Sequence, residues 1–255
     1  MLPGGVEGPA RGSERQGDPS TGGGAGAVPW QPGRVTPRTL VLASASPARL
    51  GVLREAGIAP RVMVSGVDEG GVGGLDAQAV ACTLARRKAA SVADRLAATA
   101  AMTGVAPPRV AARPVPAGGA PLVLGCDSVL SVAGEVRGKP GSTAEARHWW
   151  HGYRDREGRL VTGHAVIDVA TGRQAVSAAA TVVRFGRPSD VEIDAYVGTG
   201  EPLGVAGGFT LDGYCAPFVD GIDGDHGTVL GLSLPLLRRL LADLDVAITD
   251  LWAPA

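Results

Sequence analysis

The rhythm of apolar positions changes several times along the chain, and each rhythm predicts an element. Residues 1 to 36 are rich in Gly, Pro and Ser and have almost no apolar periodicity. They predict a disordered tail, with the fold starting near Arg38. The short apolar run Leu40 to Ala43 predicts a buried strand. Ser46 and Pro47 suit a helix start, Leu50, Leu53 and Ala56 share a helical face, and Gly57 suits its end. A second strand is predicted over Arg61 to Ser65, and a long helix from Asp76 to about Thr103. Its stripe of Val80, Leu84, Val92 and Leu96 is interrupted by Lys88 on the inward side. Residues 104 to 120 are rich in Pro and Ala and predict an insertion loop.

Pro121 to Val132 is a near-continuous apolar run, which predicts a central strand buried on both faces. A turn over Ala133 to Glu135 follows. Ser142 and Glu145 form a capping-box pattern that opens a helix through Trp149 and Trp150. Leu160 to Ala170 and Ala175 to Phe185 predict a strand and its return, joined at Thr171-Gly172. Ser189 to Glu192 is a second capping box, opening a helix that reaches Tyr196. Gly198 to Gly208 predicts a loop, and Leu203 to Phe218 is too glycine-rich to assign to an element. Leu232 to Pro235 starts a last helix that turns Leu236, Leu237, Leu240, Leu241 and Leu244 inward. The order predicts a mixed α/β domain over residues 37 to 250, with a long twisted sheet flanked by helices.

Composition narrows the class. Of 255 residues 45% are hydrophobic but only 4% aromatic, so the core is built mostly from Val, Leu and Ala. The net charge of −1 gives no field for nucleic acid or an anionic membrane. Cys82, Cys126 and Cys215 are too scattered for a disulfide framework or a zinc site, and suit reduced thiols in the cytoplasm. No apolar run approaches the roughly 20 residues of a membrane span, and no signal pattern opens the chain.

Candidate chemistry falls at element ends. The start of the first helix offers free backbone N–H groups, the hydroxyls of Ser44 and Ser46, and Arg49, which suit phosphate. An ordinary capped helix with a surface arginine fits the same residues. Asp68 and Glu69 end a strand, where they can bind a metal or simply be solvated. Lys88 either snorkels outward or meets an anion, whereas Arg86 and Arg87 read as solvent-facing charges. Asp127 inside a buried strand is costly unless it is paired, metal-bound or open to a cleft, and so points to function. Lys139 stands beside Pro140, in a loop whose spacing departs from a Walker A motif. His148 and His151 have a metal-compatible spacing, but their Trp neighbours favour packing. Asp223-Gly224-Asp225 lacks the closing Glu of a calcium loop. Three cations and two acids in one cleft would suit a polyphosphate with a divalent ion.

Ten ordered segments resemble the Maf family of nucleoside triphosphate pyrophosphatases. They include residues 42 to 49, Val67-Asp68-Glu69, residues 85 to 89, Gly125-Cys126-Asp127-Ser128 and Gly138-Lys139-Pro140. Thr162-Gly163-His164, Thr199-Gly200-Glu201-Pro202, Ala206-Gly207-Gly208-Phe209, Ile222-Asp223-Gly224-Asp225 and residues 229 to 235 follow. The resemblance implies an elongated, two-lobed α/β fold shared with inosine triphosphatases. It implies hydrolysis of a pyrimidine or noncanonical nucleoside triphosphate to the monophosphate and pyrophosphate, with Mg²⁺ or Mn²⁺, in a homodimer. Ser44, Ser46 and Arg49 would hold phosphates, Glu69 would bind metal, Lys88 and Lys139 would neutralise the triphosphate, and Asp127 would serve as catalytic acid and metal ligand. A nucleotide-binding regulator of septum formation with little turnover is the alternative it implies. Four places depart from the family pattern: Ala48 replaces an Arg, Ser128 a Thr, and Asp212 a Gln, and the segment from Gly152 to Val161 is stretched. Ala48 and Asp212 bear on base specificity.

Overall fold

The structure, a computed structural model, describes residues 38–102 and 119–253. The predicted tail and nearly all of the predicted insertion loop lie outside the described residues. The chain runs β1 (Leu40–Leu42), α1 (Pro47–Glu55), β2 (Arg61–Val62), α2 (Ala77–Met102), β3 (Leu122–Val132) and β4 (Glu135–Arg137). It continues with α3 (Thr143–Tyr153), β5 (Glu157–Asp168), β6 (Gln174–Phe185), α4 (Asp190–Gly198), β7 (Val219–Asp223), α5 (His226–Leu230) and α6 (Leu234–Ala242). Short 3₁₀ turns fill the glycine-rich stretch between α4 and β7. The fold is mixed α/β, with one seven-stranded sheet of order β2-β1-β3-β5-β6-β7 and β4 paired to β3. β1 is parallel to β2 and to β3, and the other pairings are antiparallel.

β3 and β5 are the long central strands, and α2 lies across them. Their register sets Asp127 opposite Gly163 and Gly125 opposite Ala165. Two glycines let the helix come this close. A Cβ on Gly125 would stand 2.2 Å from the Ala85 carbonyl oxygen, and one on Gly163 would stand 2.3 Å from the Ala81 backbone. The matching helix positions, Ala81, Ala85 and Ala89, are small and fully buried. The large apolar stripe read from sequence is therefore only part of the contact, since alanines four residues apart make the closest approach. On the sheet's other face, α6 buries Leu236, Leu237, Leu240 and Leu241, each contributing roughly 2 kcal/mol of transfer free energy. Around Trp150, a separate cluster of Tyr153, Phe185, Tyr196 and Phe209 closes the opposite half of the sheet.

Several local readings need correction. β2 stops at Val62 rather than Ser65, because side chains of α2 take the next carbonyls. Arg95 donates to Val64 O at 2.6 Å and Ser91 to Ser65 O at 3.0 Å. Arg87 is exposed, as a solvent-facing charge should be, yet it also donates to Gly70 O at 2.8 Å. Ser142 caps α3 through the Glu145 N–H, but the Glu145 carboxylate takes the Gly141 N–H at 2.7 Å instead of closing the box. The Ser189 and Glu192 box is reciprocal. His148 and His151 lie on the exposed face of α3 rather than in packing, with His151 Nδ1 3.5 Å from Asp190. Asp225 is the N-cap of α5.

Candidate functional site

The turn between β1 and α1 builds one wall. Ser46 Oγ accepts from the Arg49 N–H at 3.4 Å, the ordinary duty of a cap. Ser44 Oγ accepts from the Ser46 N–H at 3.2 Å and from Arg49 at 3.1 Å. The rest of the Arg49 fork is engaged as well: Nε donates to Gly231 O at 2.9 Å and NH2 to Ser128 Oγ at 3.1 Å. Ser128 pairs with Thr162 Oγ1 at 2.8 Å, and Thr162 donates onward to Thr228 O at 2.8 Å. One guanidinium thus joins α1, β3, β5 and the link between α5 and α6. Sequence reading missed the Ser128–Thr162 relay. Its signal was Thr162 within Thr162-Gly163-His164, a hydroxyl on the inward side of a central strand.

α2 and β3 build the centre. Because Gly125 and Gly163 seat the helix on the strands, Lys88 reaches across with Nζ 2.5 Å from Asp127 Oδ1 and 2.7 Å from Glu69 Oε1. Lys88 therefore meets anions rather than snorkelling. Lys88 and Asp127 are buried, whereas the Glu69 side chain is 57% exposed at the rim. Their environments pull the two carboxyls apart. Burial raises the Asp127 carboxyl above its usual range despite the opposing charges of Lys88 and Arg49. Glu69 is also pushed up by its partial burial, but the hydrogen bond and charge of Lys88, with Lys139 and Arg49 behind them, hold it below its usual value. Asp127 is thus the readier proton acceptor of the two.

β4 and its following loop place Lys139 on the rim, exposed, next to Gly138, whose carbonyl accepts from the Gly207 N–H at 2.7 Å. Asp212 is exposed, with one carboxylate oxygen accepting from the Thr210 hydroxyl. Ser44, Ser46, Arg49, Glu69, Lys88, Asp127, Lys139 and Asp212 all line one cleft of about 980 Å³. Leu130 lies three residues beyond Asp127 on β3, roughly 10 Å along the strand. Gly207 packs directly on Leu130, and Ala206, Phe209 and Thr210 line the cleft there. The cleft therefore has a charged end and a more apolar end.

A divalent cation fits the donor set. Mg²⁺ and Mn²⁺ take hard oxygen ligands, and Mg²⁺ commonly needs one or two carboxylates plus substrate phosphates. Glu69 and Asp127 would supply those carboxylates, since both already close on a cation, the Lys88 ammonium. Among the described residues no three His, Cys, Asp or Glu side chains converge, so the protein alone offers an incomplete shell.

A sequence profile described as Maf-like protein matches residues 39–244. The chain belongs to the Maf family. Similar proteins are the nucleoside triphosphate pyrophosphatases of Streptomyces coelicolor, 56% identical over 86% of this chain and 96% of the relative, and of Streptomyces avermitilis, 51% identical over 85% and 96%. The nucleoside triphosphate pyrophosphatase of a Mycobacterium species is 49% identical over 84% of this chain and 97% of its own. In this Maf chain the three cysteines are free, and burial pushes the Cys126 and Cys215 thiols up to about 12, so both are inert at neutral pH. No described helix is long and apolar enough to cross a membrane.

Proposed function

We propose that the protein hydrolyses a pyrimidine or modified nucleoside triphosphate to the monophosphate and pyrophosphate. The observation that carries this reading is the buried Lys88 ammonium between Asp127 and Glu69, in a cleft that also gathers Arg49, Ser44 and Lys139. The family's named relatives support the same chemistry. The triphosphate lies at the charged end, and the nucleoside extends along β3 toward Leu130 and Phe209. Lys88 and Lys139 neutralise phosphate oxygens, and the first turn of α1 contributes backbone N–H groups. Asp127 accepts a proton from the water that attacks the α-phosphorus. The α-phosphorus to bridging-oxygen bond breaks, and that oxygen leaves with pyrophosphate. When bound at Glu69 and Asp127, Mg²⁺ or Mn²⁺ supplies Lewis-acid neutralisation of phosphate charge. The working form is a cytoplasmic homodimer, which light scattering of the purified protein tests for assembly.

The deciding assay offers UTP, dTTP, CTP and a modified GTP, with and without Mn²⁺, and follows pyrophosphate and orthophosphate together. Pyrophosphate and monophosphate in equal amounts are expected. Orthophosphate alone would overturn the reaction type, and tight nucleotide binding without turnover would favour the regulator.

A further inference from the structure

The loop that closes the apolar end of the cleft is held from behind. Gly207 and Gly208 both adopt φ of 67°, in the left-handed region. That conformation turns their carbonyls away from the cleft and into the aromatic cluster. There the indole Nε1 of Trp150 donates to Gly208 O at 2.9 Å. The Tyr153 hydroxyl donates to Gly207 O at 2.9 Å, and the Tyr196 hydroxyl to Gly208 O at 3.1 Å. Glu201 and Cys215 lie against the Tyr196 hydroxyl as well. Burial pushes the Tyr153 hydroxyl up to about 12 and raises that of Tyr196, so both keep their protons at neutral pH. Replacement is strained at both glycines: a Cβ on Gly207 would stand 2.6 Å from Leu130, and positive φ disfavours a side chain at either position.

The far end of the loop is pinned separately. The Glu201 carboxylate accepts from the N–H groups of Tyr214 and Cys215 at 3.0 and 3.3 Å. Arg137 backs Tyr153, its guanidinium carbon 5.1 Å from the ring centre and 5.4 Å from that of Trp149. Between these anchors the chain lines the cleft with Phe209, Thr210 and Asp212, and the Phe209 ring also packs edge-on against Phe185 in the aromatic cluster. The Gly207 N–H to Gly138 O bond joins the same loop to the segment bearing Lys139.

We propose that Trp150, Tyr153 and Tyr196 are positioning residues for nucleoside recognition, acting by holding the carbonyls of Gly207 and Gly208. The proposal deepens the nucleotide reading above and rests on it. None of the three lines the cleft, so their effect is transmitted through the loop. Releasing a carbonyl lets the loop adopt other conformations, and the nucleoside then bears the ordering cost on binding. The phosphate-binding groups on α1, α2 and β3 do not share these anchors; Lys139 alone is tied to the loop, through the Gly138 carbonyl.

The test is Tyr153→Phe, alone and with Tyr196→Phe, which keeps both rings and removes only the hydroxyls. Calorimetry gives the Kd of the tighter-binding of the α,β-methylene analogues of UTP and GTP, and that of inorganic tripolyphosphate, which has no base. Turnover of the natural triphosphates and the melting temperature are measured alongside. Tyr153→Phe is expected to weaken the nucleotide analogue about fivefold, the factor matching one hydrogen bond of ordinary net strength, and to weaken tripolyphosphate by less than about twofold, since Lys139 alone of the phosphate groups is tied to the loop. Val183→Ala, in the same buried cluster, lowers the melting temperature and leaves both Kd values alone. Equal Kd values in wild type and both tyrosine variants would overturn the proposal, as would parallel weakening of nucleotide and tripolyphosphate. Wild-type protein that fails to release pyrophosphate refutes the hydrolase reading, while the ratio of Kd values still judges the clamp.

Discussion

Replacing Gly125 by alanine tests whether helix packing places the charged centre. The added Cβ would lie 2.2 Å from Ala85 O, 2.7 Å from Ala89 N and 3.0 Å from Ala89 Cβ. The two shortest contacts are to backbone atoms of α2, so no rotamer change relieves them. Cβ contacts under 3.0 Å essentially do not occur, which means α2 must lift from β3 by about 0.8 Å or the strand must yield as much. Lys88 lies between Ala85 and Ala89 on that helix, and its ammonium is held at 2.5 Å from Asp127. Overpacking of this kind costs about 1–3 kcal/mol of stability. A displacement near 1 Å in a reacting constellation costs up to about 10²-fold in rate, and the flexible lysine stem recovers part of it, so a loss of roughly 10- to 10²-fold is expected. Steady-state kinetics and thermal unfolding measure the two effects. Gly51→Ala is the control: its Cβ meets nothing within 4 Å, and alanine favours helix by up to about 1 kcal/mol, so activity stays at wild type. A folded Gly125→Ala protein with wild-type kcat would refute the claim that this contact places Lys88.

Three further outcomes are expected. Asp127→Asn keeps its fold and much of its nucleotide affinity and loses about 10²-fold or more in kcat, also at raised Mn²⁺; near-normal turnover would remove Asp127 from the base role. If Asp212 faces the base it offers only acceptors, so Asp212→Gln, which adds a donor, raises kcat/KM for UTP or dTTP relative to a modified GTP; if it faces the metal or phosphates, turnover falls alike on all substrates, and unchanged ratios would exclude base reading. Burial lowers the His164 pKa to about 4, against an ordinary 6.5, and its Nε2 accepts from the Ser233 N–H at 2.9 Å. Between those values the unfolded chain holds a proton that the folded chain lacks. Acidification from pH 6.5 to 4 therefore removes on the order of 3 kcal/mol of stability. Denaturant unfolding at pH 7 and pH 4.5 should show a smaller acid loss in His164→Gln than in wild type, and equal losses would contradict the assignment.

The local elements were legible in the sequence because caps and periodicity are short-range. Ser46-Pro47 starts α1, Ser189 and Glu192 close a reciprocal box, and the five leucines from Leu236 to Leu244 are all buried in the structure. Asp127 stood out for an equally local reason, since an acid within a continuous apolar strand carries a desolvation cost that needs an explanation. Residue types and their order also sufficed to suggest polyphosphate chemistry. Only the tertiary structure decided which charges meet. Lys88 and Asp127 are 39 positions apart, and their contact depends on glycines at 125 and 163 meeting alanines on α2, a match between surfaces that no single segment contains. Arg49 finds Gly231 across 182 positions, and the indole of Trp150 finds Gly208 across 58. Spacing along a chain sets which face of an element a side chain occupies. The partner on the other side of the cleft is set by how closely the backbones approach.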